Sequence, residues 1–307
     1  MKDMQLDRDF EGVVVALMTS FDSEGNLDIE KTGEFVDYMA DTGLHGLFVA
    51  GTAGEGPKLS VDEKKTLIRA TVEKANGRVA VLGGAGGVAT RDSLEVAKYA
   101  RDVGADAVVL LPPYYYHPSK SALFEHYSNV ASKVDLPVYL YNLPSFVGYT
   151  LDVDLVSQIA GECSNVIGVK DSGGNLSYSI DLIAAVRGKA SVFQGIEALF
   201  LSSLIMGAKG AVVSDANVAP KLVLSIFEAF KKGDLRRAVD DQFKLALLDR
   251  VLSSDDFISY TKEALKLLGM PIGTCRKPCS TVTSDESKKI KEALDQLSIR
   301  LATRANV

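Results

Sequence analysis

Lys170 closes the run Val-Ile-Gly-Val-Lys, which puts an amine at the end of an apolar segment. Burial disfavours the charged form of a lysine, and a neutral amine can attack a ketone to form a Schiff base. The competing reading is an ion pair with the adjacent Asp171. Tyr141 closes a second run, Leu-Tyr-Asn at 140–142. A phenol at such a place can pass protons, or can be an amphipathic core residue with one satisfied hydroxyl. The turn Gly51-Thr52-Ala53-Gly54-Glu55 offers backbone N–H groups and one hydroxyl, a setting that suits a carboxylate. Small residues also gather in strand-to-helix turns for steric reasons alone. A fourth feature, Pro112-Pro113-Tyr114-Tyr115-Tyr116-His117-Pro118, is a stiff aromatic loop fit for packing, for an interface or for catalysis.

These groups need a scaffold that gathers them. Short β-branched runs occupy 13–17, 46–50, 79–83, 107–111, 137–141, 166–170, 191–194 and 210–214. Between and after them, apolar residues recur at three- and four-residue spacing over 28–42, 60–75, 90–103, 119–133, 151–160, 176–186, 198–206 and 219–231. Ser60 followed by Glu63 is a capping box, and Ser119 after Pro118 is another helix start. Runs that are apolar on both faces belong to parallel strands covered by helices. Eight such units predict an α/β protein, a (β/α)8 TIM barrel over residues 1–231.

A doubly wound open sheet would call for G-x-G-x-x-G after the first strand, where the chain reads MTSFDSEGN instead. The Gly-Gly-Ala-Gly-Gly stretch at 83–87 lacks that spacing and reads as a tight turn. Beyond 231 the strand signal stops. Amphipathic stretches at 235–251, 256–268 and 284–301 predict a C-terminal α-helical extension over 232–307, packed on the barrel because no Pro/Ser-rich linker precedes it. Active sites of such barrels lie at the carboxyl ends of the strands, where all four features fall.

The 307 residues include 34 Lys+Arg and 40 Asp+Glu, a formal net charge of −6, with 47% hydrophobic residues. That profile excludes disorder and collagen-like repeats, and no Lys/Arg cluster suits a nucleic-acid backbone. Cys163, Cys275 and Cys279 make an odd count, so no disulfide framework is expected and a reducing compartment is the simpler reading. Cys275 and Cys279 have no second Cys or His pair beside them, so no metal site is expected. The amino-terminal MKDMQLDRDFEG has no apolar segment of signal-peptide length, and no apolar run reaches the roughly 18 residues of a membrane span. A cytoplasmic protein without nucleic-acid or membrane partners is expected.

The ordered motifs GTAGEGP at 51–57, PPYYYHPS at 112–119, YNLPS at 141–145, GVKDSGGNL at 168–176 and GAKGAVVSDANVAP at 207–220 extend over most of the sequence. This set resembles the dihydrodipicolinate synthase/N-acetylneuraminate lyase family of class I pyruvate-dependent aldolases. The resemblance implies that Lys170 is the Schiff-base lysine for pyruvate or a 2-oxo-3-deoxy sugar acid. It implies that Tyr141 moves protons and that Thr52 links Tyr141 to a second tyrosine from a neighbouring subunit, matched here by Tyr115. It further implies that the Thr52 and Ala53 N–H groups receive the substrate carboxylate and that Gly195 and Val212 line the pyruvate end. No cofactor is implied, since the imine withdraws electrons as a metal would. The implied assembly is a homodimer, extended to a dimer of dimers.

Two departures bear on the subtype. Where synthases that take aspartate semialdehyde carry an arginine after the catalytic tyrosine, this chain has Phe146. A ring cannot replace a charge-assisted bidentate contact. Ala53 also stands where many relatives have a second hydroxyl. The Gly54-Glu55-Gly56-Pro57 and Lys170-Asp171-Ser172 segments are similar to those of 2-keto-3-deoxygluconate aldolases, with Ser172, Ser145 and Glu197 as candidate contacts for sugar hydroxyls. The expected reaction is reversible cleavage of 2-keto-3-deoxygluconate or a related sugar acid to pyruvate and an aldehyde. The alternatives are dihydrodipicolinate synthesis, dehydration of a keto-deoxy sugar acid, sialic-acid cleavage, and a non-enzymatic barrel that binds sugar acids.

Overall fold

The computed structural model describes residues 6–253 and 256–301. The predicted units 1–231 and 232–307 therefore include short segments, 1–5, 254–255 and 302–307, that lie outside the described residues. Eight parallel strands close into one barrel in chain order: β1 (Gly12–Ala16), β2 (Gly46–Val49), β3 (Ala80–Gly84), β4 (Ala107–Leu110), β5 (Val138–Asn142), β6 (Val166–Asp171), β7 (Ser191–Gln194) and β8 (Gly210–Val213), with β8 paired back to β1. Every residue in these strands is buried, the condition that a double-faced apolar run satisfies.

The outer layer consists of α1 (Ile29–Ala40), α2 (Val61–Ala75), α3 (Thr90–Asp102), α4 (Lys120–Ala131), α5 (Pro144–Val147), α6 (Val153–Glu162), α7 (Leu176–Val186), α8 (Phe200–Met206) and α9 (Pro220–Lys231). The Ser60–Glu63 capping box forms as the sequence predicts, and Ser119 caps α4 by accepting from the Ala122 N–H. Differences from the sequence reading have local causes. Helix α5 is four residues begun by Pro144, too short to leave a periodic pattern. Helix α6 starts two residues later than expected, because Asp152 takes the cap position and accepts from the Leu155 N–H. The 198–206 segment opens as a 3-10 turn, Glu197–Leu199, before α8.

Beyond α9 lie α10 (Leu235–Leu252), α11 (Phe257–Leu267) and α12 (Ser284–Gln296). The last is shorter than predicted, since Ser298 turns into the left-handed region at φ 54°. Gln242 of α10 holds the barrel by accepting from the Leu201 N–H at 2.9 Å and donating to the Glu197 carbonyl at 2.9 Å. Among the described residues no helix is long and apolar enough to cross a membrane.

Candidate active site

Strands β5 and β6 set the central pair. Their register skips one residue, Ile167, and then runs Tyr139 with Gly168 and Tyr141 with Lys170. An extra residue of this kind re-aims the side chains that follow. Gly168 has a steric reason, since a Cβ there would lie 2.1 Å from the Tyr139 ring. Lys170 is 4% exposed. Its Nζ lies 4.2 Å from the centre of the Tyr141 ring and 5.1 Å from that of Phe48, and it has no hydrogen bond or ion pair with a described residue.

The ion-pair reading of Lys170 and Asp171 is corrected by the pleat, which turns adjacent residues to opposite faces of a strand. The Asp171 carboxylate is satisfied behind the sheet by Asn142 Nδ2 at 2.8 Å, Ser179 Oγ at 2.6 Å and the Gly173 N–H at 3.0 Å. Lys170 keeps an unshared nitrogen on the cleft side.

The turn after β2 supplies the next groups. Thr52 Oγ1 donates to the Tyr141 hydroxyl at 3.5 Å, a long contact that joins two proton-carrying groups. The N–H groups of Thr52 and Ala53 have no acceptor among the described residues, although Ala53 is buried. Gly195 follows β7, and a Cβ there would stand 2.0 Å from Ser172 Oγ and 3.0 Å from Lys170 Cε. Glycine thus keeps the space into which the lysine reaches.

These residues open on a cleft of about 240 Å³. Thr52, Ala53, Tyr141, Ser145, Phe146, Lys170, Ser172, Gly195, Glu197 and Val212, all singled out in the sequence, line it together. Ser214, which ends the eighth run, lines it as well, as do Ser253 and Phe257, neither of which was singled out in the sequence. The last two belong to the helical extension, which only the folded chain brings to the barrel mouth.

Lys170 is the one cation and Glu197 the one acid among the described residues that line the cleft. Glu197 Oε1 accepts from the Ser214 N–H at 2.8 Å, Ser214 Oγ at 2.8 Å and the Asp215 N–H at 3.1 Å, so part of this carboxylate is occupied by the end of β8. Burial, with Glu197 and Asp249 nearby, pushes the Asp215 carboxyl well above the usual range. Burial and then Glu197 push Asp249 up to about 6.

Tyr115 stands apart from this group. It is 82% exposed, has a left-handed φ of 78°, and meets Tyr116 edge-on at 5.1 Å. Its loop is held by the Tyr149 hydroxyl, which donates to the Pro113 carbonyl at 2.6 Å. Lys170, Tyr141 and Thr52 are gathered within the chain, whereas Tyr115 points out of it. Among the described residues no group of three or more His, Cys, Asp or Glu side chains is placed to hold a metal, and the three cysteines are free.

The model of the dihydrodipicolinate synthetase family matches residues 9–297. The chain belongs to this family. Among similar family proteins, a 4-hydroxy-tetrahydrodipicolinate synthase of Methanopyrus kandleri is 36% identical, with 94% of this chain and 97% of that one covered. The crystal structure of dihydrodipicolinate synthase from Aquifex aeolicus superposes with a TM-score of 0.91 at 33% identity, covering 96% of this chain and 100% of that one. The structure of YagE, a prophage protein of this family from Escherichia coli in complex with pyruvate, gives a TM-score of 0.91 at 30% identity over 94% of this chain and 99% of that one. The family makes the chain a pyruvate-dependent lyase in general class. The sugar-acid aldolase subtype expected from the sequence appears in none of these names, and two of them are synthases.

Proposed function

We propose that the protein is a Schiff-base lyase that cleaves a 2-oxo-3-deoxy sugar acid of the 2-keto-3-deoxygluconate kind, reversibly, to pyruvate and a neutral hydroxyaldehyde. The observation that carries the choice of second substrate is the charge of the cleft. Once Lys170 is bonded to the keto carbon, no other cationic side chain among the described residues lines it to grip a second carboxylate. Phe146, at the position of the missing arginine, is 64% exposed at the mouth and offers only a ring edge or face.

The chemistry follows from the neighbours of Lys170. The amine adds to the ketone, and Tyr141 gives its phenolic proton to the departing hydroxyl, so that water leaves, an iminium that draws electrons remains and Tyr141 becomes a phenolate. The substrate carboxylate is received by the Thr52 and Ala53 N–H groups, donors without an acceptor among the described residues. Tyr141 takes the proton from the C4 hydroxyl as the C3–C4 bond breaks, and its electron pair moves to C3 to give an enamine and the aldehyde. The enamine then takes a proton at C3, and water hydrolyses the imine to pyruvate and the free lysine. Thr52 connects Tyr141 to further hydroxyls, and the partner subunit's Tyr115 completes that chain in a homodimer. The outward exposure of the aromatic loop supports this role. Leu235, Val239 and Phe243 on α10, and Ile205 and Met206 on the contacting α8, are further exposed apolar side chains and support a dimer of dimers.

A second reading, condensation of pyruvate with aspartate semialdehyde, is supported by the names of the relatives at 33–36% identity. It requires that a carboxylate be held without the arginine fork. A substrate panel separates the readings. Release of pyruvate from 2-keto-3-deoxygluconate is the expected result. A product that retains all carbons identifies a dehydratase. Consumption of pyruvate only with aspartate semialdehyde identifies the synthase and overturns the proposal.

A further inference from the structure

The turn that carries the Thr52 and Ala53 N–H groups is braced from outside the barrel. Its own backbone bonds run from the Glu55 N–H to the Thr52 carbonyl at 3.0 Å and from the Gly56 N–H to the Gly51 carbonyl at 2.8 Å. Space forbids a side chain at Gly56, where a Cβ would stand 2.2 Å from the Ala50 carbonyl oxygen. Glu55 holds a left-handed φ of 57° and is 1% exposed. A non-glycine residue keeps such a conformation only where its surroundings fix it.

Those surroundings come from Lys58 of the same turn and from the C-terminal extension. Glu55 Oε1 meets Lys262 Nζ of α11 at 3.0 Å. Its Oε2 meets Lys58 Nζ at 3.1 Å and the Arg276 N–H at 3.0 Å. Lys262 also donates to the Thr274 carbonyl at 2.6 Å, and Lys58 to the carbonyls of Arg276 at 2.8 Å and Pro278 at 2.9 Å. The Arg276 guanidinium then reaches Glu63 at the start of α2 at 2.5 Å and the Gly25 carbonyl at 2.9 Å. Both oxygens of one buried carboxylate thus tie the turn to α11 and to the strap 274–278, while the same extension supplies Ser253 and Phe257 to the cleft.

We propose that Glu55, Lys262 and the strap around Arg276 form a clamp through which the helical extension positions the carboxylate-receiving N–H groups. Glu55 and Lys262 are positioning residues: neither lines the cleft, and both act through Thr52 and Ala53. The clamp rests on the reading that these N–H groups hold the pyruvate carboxylate. A pair that served stability alone would affect melting and nothing else, whereas misplacing an oriented donor by a fraction of an ångström weakens binding of the group that it faces.

The test is borohydride trapping of Lys170 across a range of pyruvate concentrations, read by intact mass on the whole chain. In Lys262→Met and Glu55→Gln the half-saturating pyruvate concentration is expected to rise about tenfold. Full trapping is retained at saturation, and Lys262→Arg restores most of the wild-type value. Lys58→Met, at a half-exposed partner of the same carboxylate, gives a smaller rise and serves if Lys262→Met does not fold. Variants that melt earlier yet trap with the wild-type concentration dependence overturn the clamp. Absence of trapping in the wild-type protein overturns instead the Schiff-base reading on which it rests.

Discussion

Lys170 and Lys262 are buried almost equally, at 4% and 5% exposure, yet their surroundings oppose each other. Lys262 has a carboxylate at 3.0 Å, a carbonyl at 2.6 Å and the face of Phe21 at 5.0 Å. Lys170 has two aromatic faces and a cleft, with no acceptor among the described residues. Burial alone therefore does not mark a reactive lysine. What distinguishes them is whether the fold supplies the partner or leaves that place to a ligand. A paired buried charge stabilises against its own partner's exposure, and removing one member leaves the other uncompensated.

The largest expected contrast lies in exchanging the two losses. Lys170→Ala should lower pyruvate release by at least about 10,000-fold, since the covalent route is removed, while the melting temperature stays within about 3 °C of wild type because no ion pair with a described residue is broken. Lys262→Met should reverse the pattern on stability, costing about 3 kcal/mol in denaturant unfolding as Glu55 loses one of its cations. Equal destabilisation by the two substitutions would dissolve the comparison. Tyr141→Phe retains the ring against Lys170 and removes only the hydroxyl, so kcat should drop about 100-fold with little effect on unfolding.

A smaller effect sharpens the electrostatics behind Glu197. The Asp249 carboxyl, raised to about 6 from an ordinary 3.8, holds its proton more tightly in the folded state than in the unfolded one. Its contribution to stability therefore falls as pH rises from about 4 to about 6 and remains lower above that range. Asp249→Asn removes this penalty. A rise in melting temperature of about 2 °C at pH 8, with no gain near pH 3.5, is expected, and the same gain at both pH values would refute the assignment.

The strand pattern was legible because each strand is buried on both faces, so β-branched runs needed no alternation to be seen. That same property hid which way Lys170 and Asp171 point, since both end an apolar run and only the register skip at Ile167 and the pleat separate them. The candidate residues on barrel loops were visible as breaks after apolar runs. Ser253 and Phe257 were not, because their place in the cleft depends on how α10 and α11 fold back over the barrel. Glu197 was visible as a polar group in the right region, but its three hydrogen bonds to Ser214 and Asp215 depend on contacts across strands. A role for Tyr115 itself was legible only through family resemblance, and within the chain its side chain is exposed.

The most direct test of the central claim is to incubate the protein with pyruvate and borohydride and map the adduct by peptide mass. The account predicts one reduced pyruvate-derived group per chain, on Lys170, with Lys262 and the also-buried Lys64 unmodified. An unmodified Lys170, or a label distributed over other lysines, would contradict it.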